Sequence, residues 1–130
     1  MLVPRRRLGA SVQERGAQMR TPRKVFDDHW DAVTAGDLDR VLADYAEDAV
    51  FVRPGRIARG RASVRTVFEE LGADLAGFHF HQESITVDGP IVLLEWSGHG
   101  AGGDASGVDS FVIHDDRIHQ QTLSYRVRRR

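Results

Sequence analysis

Three features are missing from this sequence, and each absence excludes a class of protein. The chain of 130 residues contains no cysteine, so it cannot form disulfides, use a thiolate nucleophile or bind a metal through thiolates. No apolar run approaches the roughly 18 residues of a membrane-spanning helix. A secretory signal would have an apolar run of about 7–15 residues after the N-terminal arginines, and this sequence has no such run there. We therefore predict a cytoplasmic protein without membrane contact.

Charge is distributed unevenly along the chain. The formal net charge is −1, yet residues 1–20 carry +4 and residues 126–130 carry another +4, which leaves −9 for residues 21–125. Basic ends on an acidic body could bind nucleic acid. The aromatic residues that single-strand binders interleave with basic ones are missing, however. We therefore predict solvated ends and no nucleic-acid partner.

The first half of the chain carries the signals of three helices. Thr21-Pro22 supplies a capping hydroxyl followed by proline at the first helical position. Gly36-Asp37 marks a corner, because glycine suits the left-handed residue that ends a helix and aspartate can cap the next one. Apolar residues at helical spacing follow each signal. The further predicted elements are a second helix over 38–45, a short strand over 49–52 and a third helix over 61–72.

The second half changes to the periodicity of β-strands. Segments rich in β-branched and aromatic residues alternate with turn signals. They predict strands near 78–87, 91–99, 107–113 and 118–127. The glycine-rich segment 98–107 lacks the strand–turn–helix setting of a phosphate loop, so we predict a flexible hairpin tip there. Three helices followed by a run of strands predict an α+β fold with an antiparallel sheet.

We predict one folded domain over residues 21–126. A flexible basic extension, residues 1–20, precedes it, and a basic tail, residues 127–130, follows it. Met19 stands two residues before the predicted domain and is an alternative start to Met1.

The order of these signals resembles a known family. A helix, the Gly36-Asp37 corner, a second helix, the run 45–50 and then Arg59-Gly60-Arg61 before a third helix are similar to the opening of the SnoaL-like branch of the nuclear transport factor 2-like superfamily. The resemblance covers roughly residues 21–126. It implies a cone-shaped α+β barrel, in which three helices pack on a curved, mostly antiparallel sheet around a pocket. It also implies a homodimer formed through the convex face of the sheet.

The motif regions are similar to ketosteroid isomerase, a member of this superfamily. By that resemblance, the isomerase's oxyanion-stabilising tyrosine falls on His29, its general base on Arg53, its protonated acid on Asp109 and a late aromatic residue on Tyr125. An arginine that stays charged cannot accept a proton. The resemblance therefore implies a pocket without implying that family's steroid reaction.

Side-chain alternation supports a pocket independently, since a strand sends alternate residues to opposite faces. Asp109 and Phe111 share one face of their strand, and His119, Gln121 and Tyr125 share one face of the next. If both faces point inward, acid, imidazole, amide and phenol groups converge among apolar walls, as in a small-molecule site. We assign the walls to residues of the preceding helices and of the strand at 91–99: Trp30, Tyr45, Leu94 and Trp96.

Asp109 is the first candidate for catalysis and His29 the second. Desolvation would raise the pKa of a lone buried carboxyl, so that Asp109 could act as acid or base near neutral pH. The alternative is a structural ion pair between Asp109 and Arg53, which would hold the carboxylate ionised. Arg53 could instead anchor an anionic substrate. His29 could act as a general base or be a core residue on the apolar face of the first helix.

We predict neither a metal nor another cofactor. One face of the predicted strand carries His79, His81 and Glu83. Consecutive residues on one face of a strand lie about 6–7 Å apart, however, which fits one small metal ion poorly.

Three functions remain open. The first is a cofactor-independent acid–base enzyme of the isomerase, cyclase, dehydratase or epoxide hydrolase type, acting on a small, hydrophobic, oxygenated metabolite. The second is a protein that binds such a metabolite without catalysis. The third is a dimeric interaction module. A family fold alone does not choose between them.

Overall fold

A computed structural model describes residues 19–130. Three helices and six strands follow one another in the chain: α1 (Pro22–Ala35), α2 (Leu38–Ala43), β1 (Tyr45–Arg53), β2 (Arg56–Arg59), α3 (Arg61–Asp74), β3 (His79–Asp88), β4 (Ile91–Gly100), β5 (Gly103–His114) and β6 (Arg117–Arg129). The fold is α+β, as the sequence predicts. The predicted flexibility of the N-terminal extension lies almost wholly outside the described residues.

The corner between α1 and α2 forms for the predicted reasons. The Thr21 hydroxyl accepts a hydrogen bond from the Lys24 amide at 3.1 Å and caps α1. Gly36 has φ +70°, the left-handed conformation that glycine adopts without strain. The Asp37 carboxylate then accepts from the Arg40 amide at 3.2 Å and caps α2. This sharp corner lays α1 across the sheet.

All six strands form one sheet in the order β2-β1-β6-β5-β4-β3. Only the β1–β6 pair is parallel, and the other neighbours are antiparallel. β2 and β3 are the two edges, so the sheet curves around the helices without closing into a barrel. No helix in the described part of the chain is long and apolar enough to cross a membrane.

The register places two chemically different rows on the two faces of the sheet. Phe51, Gln121, Phe111 and Val92 lie opposite one another across four strands on the buried face. One residue further along each strand, Val52, Thr122, Ser110 and Leu93 form a row on the exposed face. The core therefore lies between the buried face and the three helices.

Several predicted boundaries differ from the structure: β2 was not predicted, β1 and α3 are longer than predicted, and three further differences concern residues named above. Tyr45 begins β1 instead of ending α2, because α2 stops at Ala43 and Asp44 forms its C-terminal cap. The β4–β5 hairpin turns at residues 101–102, so most of segment 98–107 is paired strand rather than a flexible tip. β6 continues to Arg129, which places all but the last residue of the predicted basic tail in the sheet.

Candidate functional site

A cavity of about 480 Å³ lies between the buried face of the sheet and the helices. Its walls are mostly aromatic and aliphatic, and its rim consists of the end of α1, the corner at Gly36, the end of α3 and residues 75–77. Polar side chains are few: Asp109, His29 and Gln121 inside, with Thr34 and Glu69 on the helices around them. None of its lining residues within 19–130 is a lysine or an arginine.

Asp109 projects from β5 into this cavity and is only 6% exposed. Its Oδ1 accepts a hydrogen bond from Trp96 Nε1 at 2.8 Å, and its Oδ2 accepts from Gln121 Nε2 at 2.8 Å. Burial raises the pKa of Asp109 to about 6, against the opposing effect of these two bonds. Both donors are neutral, so the carboxyl can change its protonation state near neutral pH.

Gly107 makes the Trp96 contact possible. The two residues are directly opposite in the β4–β5 ladder, and a Cβ on Gly107 would lie 2.4 Å from the Trp96 ring. The indole therefore lies over the glycine backbone, from where its nitrogen reaches Asp109. Sequence reasoning missed this role because Gly107 reads there as part of a turn. Its position two residues before an acid on one strand face was the available signal.

Gln121 is held from its other side by Tyr45. The Tyr45 hydroxyl donates a hydrogen bond to Gln121 Oε1, and Gln121 Nε2 donates onward to Asp109. His29 Nε2 lies 3.5 Å from the same tyrosine oxygen. A chain of polar groups thus runs from α1 through β1 and β6 to the acid on β5, inside an otherwise apolar wall.

His29 is an uncharged member of the site. Burial lowers its pKa to about 3, and its ring packs edge-on against Tyr45, Phe68 and Phe111. Its Nδ1 is buried and has no hydrogen-bond partner within the described part of the chain. At neutral pH this imidazole can donate or accept a hydrogen bond but carries no charge.

The structure brings most of the predicted site residues to one cavity. Seven of them line it: His29, Trp30, Leu94, Trp96, Asp109, Phe111 and Gln121. Tyr45 lies behind this lining, 1% exposed, and its hydroxyl bonds to the lining residue Gln121.

Arg53 is not at the cavity. Its guanidinium forms an ion pair with Glu70 of α3 at 2.9 Å and lies in a shallow depression beside Val108. The predicted Arg53–Asp109 ion pair is therefore absent, and so is the predicted anchor for an anionic substrate. Arg53 ends β1, where the chain leaves the sheet for the β1–β2 turn.

His119 is displaced by a β-bulge. Val112 pairs with Gln120, but Ile113 pairs with Ile118, so His119 is an extra residue in β6. The bulge reverses the alternation: Ile118 and Gln121 are buried, whereas His119 turns outward and stacks on His114 at 3.7 Å. Simple parity counting from Gln121 was wrong for this residue.

Tyr125 also lies outside the cavity lining. Its hydroxyl donates to Asp74 Oδ2 at 2.5 Å, and its ring lies 6.1 Å from that of Trp96. Burial and the bond to Asp74 raise its pKa to about 12. Tyr125 therefore ties the end of α3 to β6 and supports the cavity wall from behind.

One cluster within residues 19–130 has the composition of a metal site, namely His114, Asp115 and His119. The two imidazole planes are stacked within 5° of parallel, and His114 Nδ1 is bonded to Asp115 at 2.9 Å. One ion cannot lie in the planes of two rings stacked in this way, so the side chains as placed are not arranged as ligands.

Comparisons with known proteins agree with this architecture. A SnoaL-like domain profile matches residues 26–121. The chain belongs to the SnoaL-like domain family. A search of curated proteins found no match.

Solved structures show the same fold in several SnoaL-like and nuclear transport factor 2-like proteins. A protein of unknown function from Burkholderia xenovorans is 24% identical, with 80% of this chain and 81% of that chain aligned and a TM-score of 0.70. A candidate polyketide cyclase from Sinorhizobium meliloti is 22% identical over 77% and 93% of the two chains, with a TM-score of 0.69. IdmH, a candidate polyketide cyclase from Streptomyces antibioticus, is 17% identical over 82% and 92%, with a TM-score of 0.72. At these identities the likeness concerns the fold.

Proposed function

We propose that this SnoaL-like protein is a cofactor-independent acid–base enzyme that acts on an uncharged, hydrophobic, oxygenated metabolite. One observation carries the proposal: a buried carboxyl, Asp109, faces an apolar cavity of about 480 Å³ and is bonded only to neutral donors. A pKa of about 6 allows Asp109 to take up and return a proton near neutral pH. Solved neighbours described as candidate polyketide cyclases and as a candidate ketosteroid isomerase support this direction.

The lining indicates which ligands suit the cavity. A carboxylate, phosphate or thioester of an anionic carrier would meet no cation among the described lining residues, and it would face Asp109 and Glu69. Burying an unpaired anion is costly. The cavity volume and its aromatic walls instead suit a neutral ring system with a few oxygen atoms.

In the proposed step, ionised Asp109 removes a proton from a carbon next to a substrate carbonyl. The electrons of the broken C–H bond form an enolate, and Asp109 carries the proton. Return of the proton from Asp109 to another carbon gives isomerisation. Attack of the enolate carbon on a second carbonyl, with the proton going to the new alkoxide, gives cyclisation.

The test is turnover of a panel of aromatic β-keto esters, cyclic enones and epoxides, each ester paired with its free acid, with products followed by mass spectrometry. We expect product from a neutral member, weaker binding of the acids, and a loss of turnover of about 100-fold or more in Asp109→Asn with binding retained. Asp88→Asn, an exposed acid on β3, is the matched control. Turnover unchanged in Asp109→Asn would remove the acid from the mechanism, whereas binding without product would identify a carrier.

We also propose that two copies associate through the exposed face of the sheet. The support is a group of apolar residues with more than a third of their surface exposed on strands β1, β4 and β5: Val52, Ile91, Leu93 and Val108. They surround a small polar row that includes Ser110 and Thr122, whose hydroxyls lie 2.5 Å apart. Burying such a face is favourable.

Light scattering at micromolar concentration tests this association. We expect a dimer that dissociates in Val108→Arg, because the arginine would place a charge at the centre of the interface. Asp31→Arg, an exposed acid on α1 and not on the sheet, should leave the mass unchanged. A monomeric wild-type protein would contradict the proposal.

A further inference from the structure

The cavity chemistry leaves one buried phenol unused. Tyr45 is 1% exposed, does not line the cavity and lies at the irregular start of β1. Burial raises its pKa well above the usual value, so it is a neutral hydroxyl. Its backbone carbonyl accepts a bond from Arg61, and its ring packs edge-on against His29 and Phe68. This phenol is therefore fixed in place, with its hydroxyl aimed at Gln121.

The amide of Gln121 has two ends that differ in their effect on Asp109. With Nε2 toward Asp109, the amide donates to the carboxylate; with Oε1 there, it would repel it. The Tyr45 hydroxyl donates to Oε1 and so supports the first orientation. In addition, the dipoles of the Tyr45 O–H and of the Gln121 amide both point toward Asp109 Oδ2. Hydrogen bonds that follow one another in this way strengthen each other.

We propose that Tyr45 is a positioning residue that acts on Asp109 through Gln121: its hydroxyl holds the amide in the donating orientation and so stabilises the charged form of the acid. The inference concerns the acid of the proposed function and rests on Asp109 having that role. Loss of the Tyr45 hydroxyl leaves Gln121 Oε1 without its donor and weakens the support for the ionised carboxylate.

Other groups around Asp109 do not supply the same effect. The cavity lining around it contributes neutral His29 from α1, Phe68 and the acidic Glu69 from α3, the Trp96 indole from β4 and Gln121 from β6. Within residues 19–130, no cation forms an ion pair with Asp109. The charged state of this acid thus depends on two neutral donors, and one of them depends on Tyr45.

Trp96 provides a direct reporter that needs no substrate. Its Nε1–H donates to Asp109 Oδ1, so its indole ¹⁵N–¹H resonance should titrate with the acid. The chain has two tryptophans, and Trp30→Phe assigns the two resonances. We expect a midpoint near pH 6 in the wild-type protein. In Tyr45→Phe the midpoint should rise by about half a pH unit or more.

A double-mutant cycle separates this role from packing. Gln121→Leu should raise the midpoint at least as much as Tyr45→Phe, and the double variant should match Gln121→Leu alone, because the hydroxyl acts only through the amide. Val64→Ala, which removes buried packing of α3 outside the cavity lining and leaves the hydroxyl in place, is the control and should leave the midpoint in place. Shifts that add in the double variant, or an unchanged midpoint in Tyr45→Phe, would overturn the proposal.

A second measurement leaves the Tyr45 hydroxyl in place. In a Tyr125→Phe background Tyr45 is the one remaining tyrosine, and 3-fluorotyrosine incorporated there is a more acidic donor. We expect the Trp96 midpoint to fall; a midpoint that stays or rises would refute the inference. Absence of any Trp96 titration between pH 4 and 9 would refute it too. Normal shifts without turnover on any substrate would contradict only the proposed function.

Discussion

Two aspartates in this protein have similarly small exposed fractions but differ in the groups that contact them. Asp44 is 7% exposed and Asp109 is 6% exposed. Asp44, at the end of α2, accepts a bond from the Arg20 guanidinium at 2.9 Å. Asp109 accepts bonds only from an indole and an amide. Burial raises the pKa of both, but Arg20 counteracts the rise at Asp44, whereas the donors to Asp109 carry no charge.

This difference separates an acid with a structural role, Asp44, from the acid proposed to act in catalysis, Asp109. Arg20 joins three carboxylates, those of Asp28, Asp44 and Asp116, and so ties the chain before α1 to the β5–β6 turn. A cation in contact favours the charged form of an acid. Asp109 lacks such a partner and faces the cavity, so it keeps a proton that can be exchanged.

The largest predicted effect concerns the pH dependence of stability in Asp109→Asn. The pKa of Asp109 rises from 3.8 to about 6 on folding, so the folded state binds this proton more tightly. Wild-type stability should therefore fall as pH rises from about 4 to above 6, by about 3 kcal/mol. The variant lacks this loss. Its unfolding free energy relative to wild type should rise by that amount between pH 4 and 7.5.

Urea unfolding followed by circular dichroism at several pH values measures this difference, and a constant packing offset cancels. Asp88→Asn, which replaces an exposed acid on β3, is the matched control for the substitution. A flat difference for Asp109→Asn would mean that folding does not raise the pKa of Asp109.

Removal of the cation from the other acid should have the next largest effect. Arg20→Met leaves Asp44 buried without its ion-pair partner, which should destabilise the protein by about 2 kcal/mol at neutral pH. The loss should shrink toward pH 4, because an unpaired Asp44 can then become protonated. Arg23→Met, which removes an exposed ion pair with Asp27, should cost less than about 0.5 kcal/mol. Equal losses of stability in both variants would show that the ion pairs of Arg20 stabilise the fold no more than an exposed ion pair does.

The smallest effect is expected for Asp44→Asn. The asparagine carbonyl can still accept from Arg20, and the guanidinium keeps Asp28 and Asp116 as partners. We expect a loss of about 1 kcal/mol, with a weaker pH dependence than that of Asp109→Asn because Arg20 opposes the rise in the pKa of Asp44, measured by the same urea titrations. A gain in stability that grows with pH would instead indicate that Asp44 behaves like Asp109.

Local patterns in the sequence predicted much of the fold. Thr21, Gly36 and Asp37 mark helix ends because capping depends on hydrogen bonds and backbone angles within a few residues. Alternation along β5 placed Asp109 and Phe111 on the buried face for the same local reason. The strand boundaries around the β4–β5 hairpin were less well predicted, since glycine favours turns but is also required where a side chain crosses a strand.

The candidate site was predictable only in part, and the errors have identifiable causes. His119 was misplaced because a bulge depends on how β5 and β6 pair, not on β6 alone. Arg53 was assigned to the cavity. In the structure its guanidinium instead forms an ion pair with Glu70 of α3, which is distant in the sequence. The position of the Trp96 indole over Gly107 likewise depends on the register in which β4 pairs with β5.

By itself the sequence determined where the helices begin, where α1 ends, and that Asp109 and Phe111 share one face of β5. These properties depend on neighbours along the chain. Only the tertiary structure decided which buried acid meets a cation and which meets neutral donors. That choice sets the charge of each acid, and it depends on side chains that pairing of strands and packing of helices bring together from distant parts of the chain.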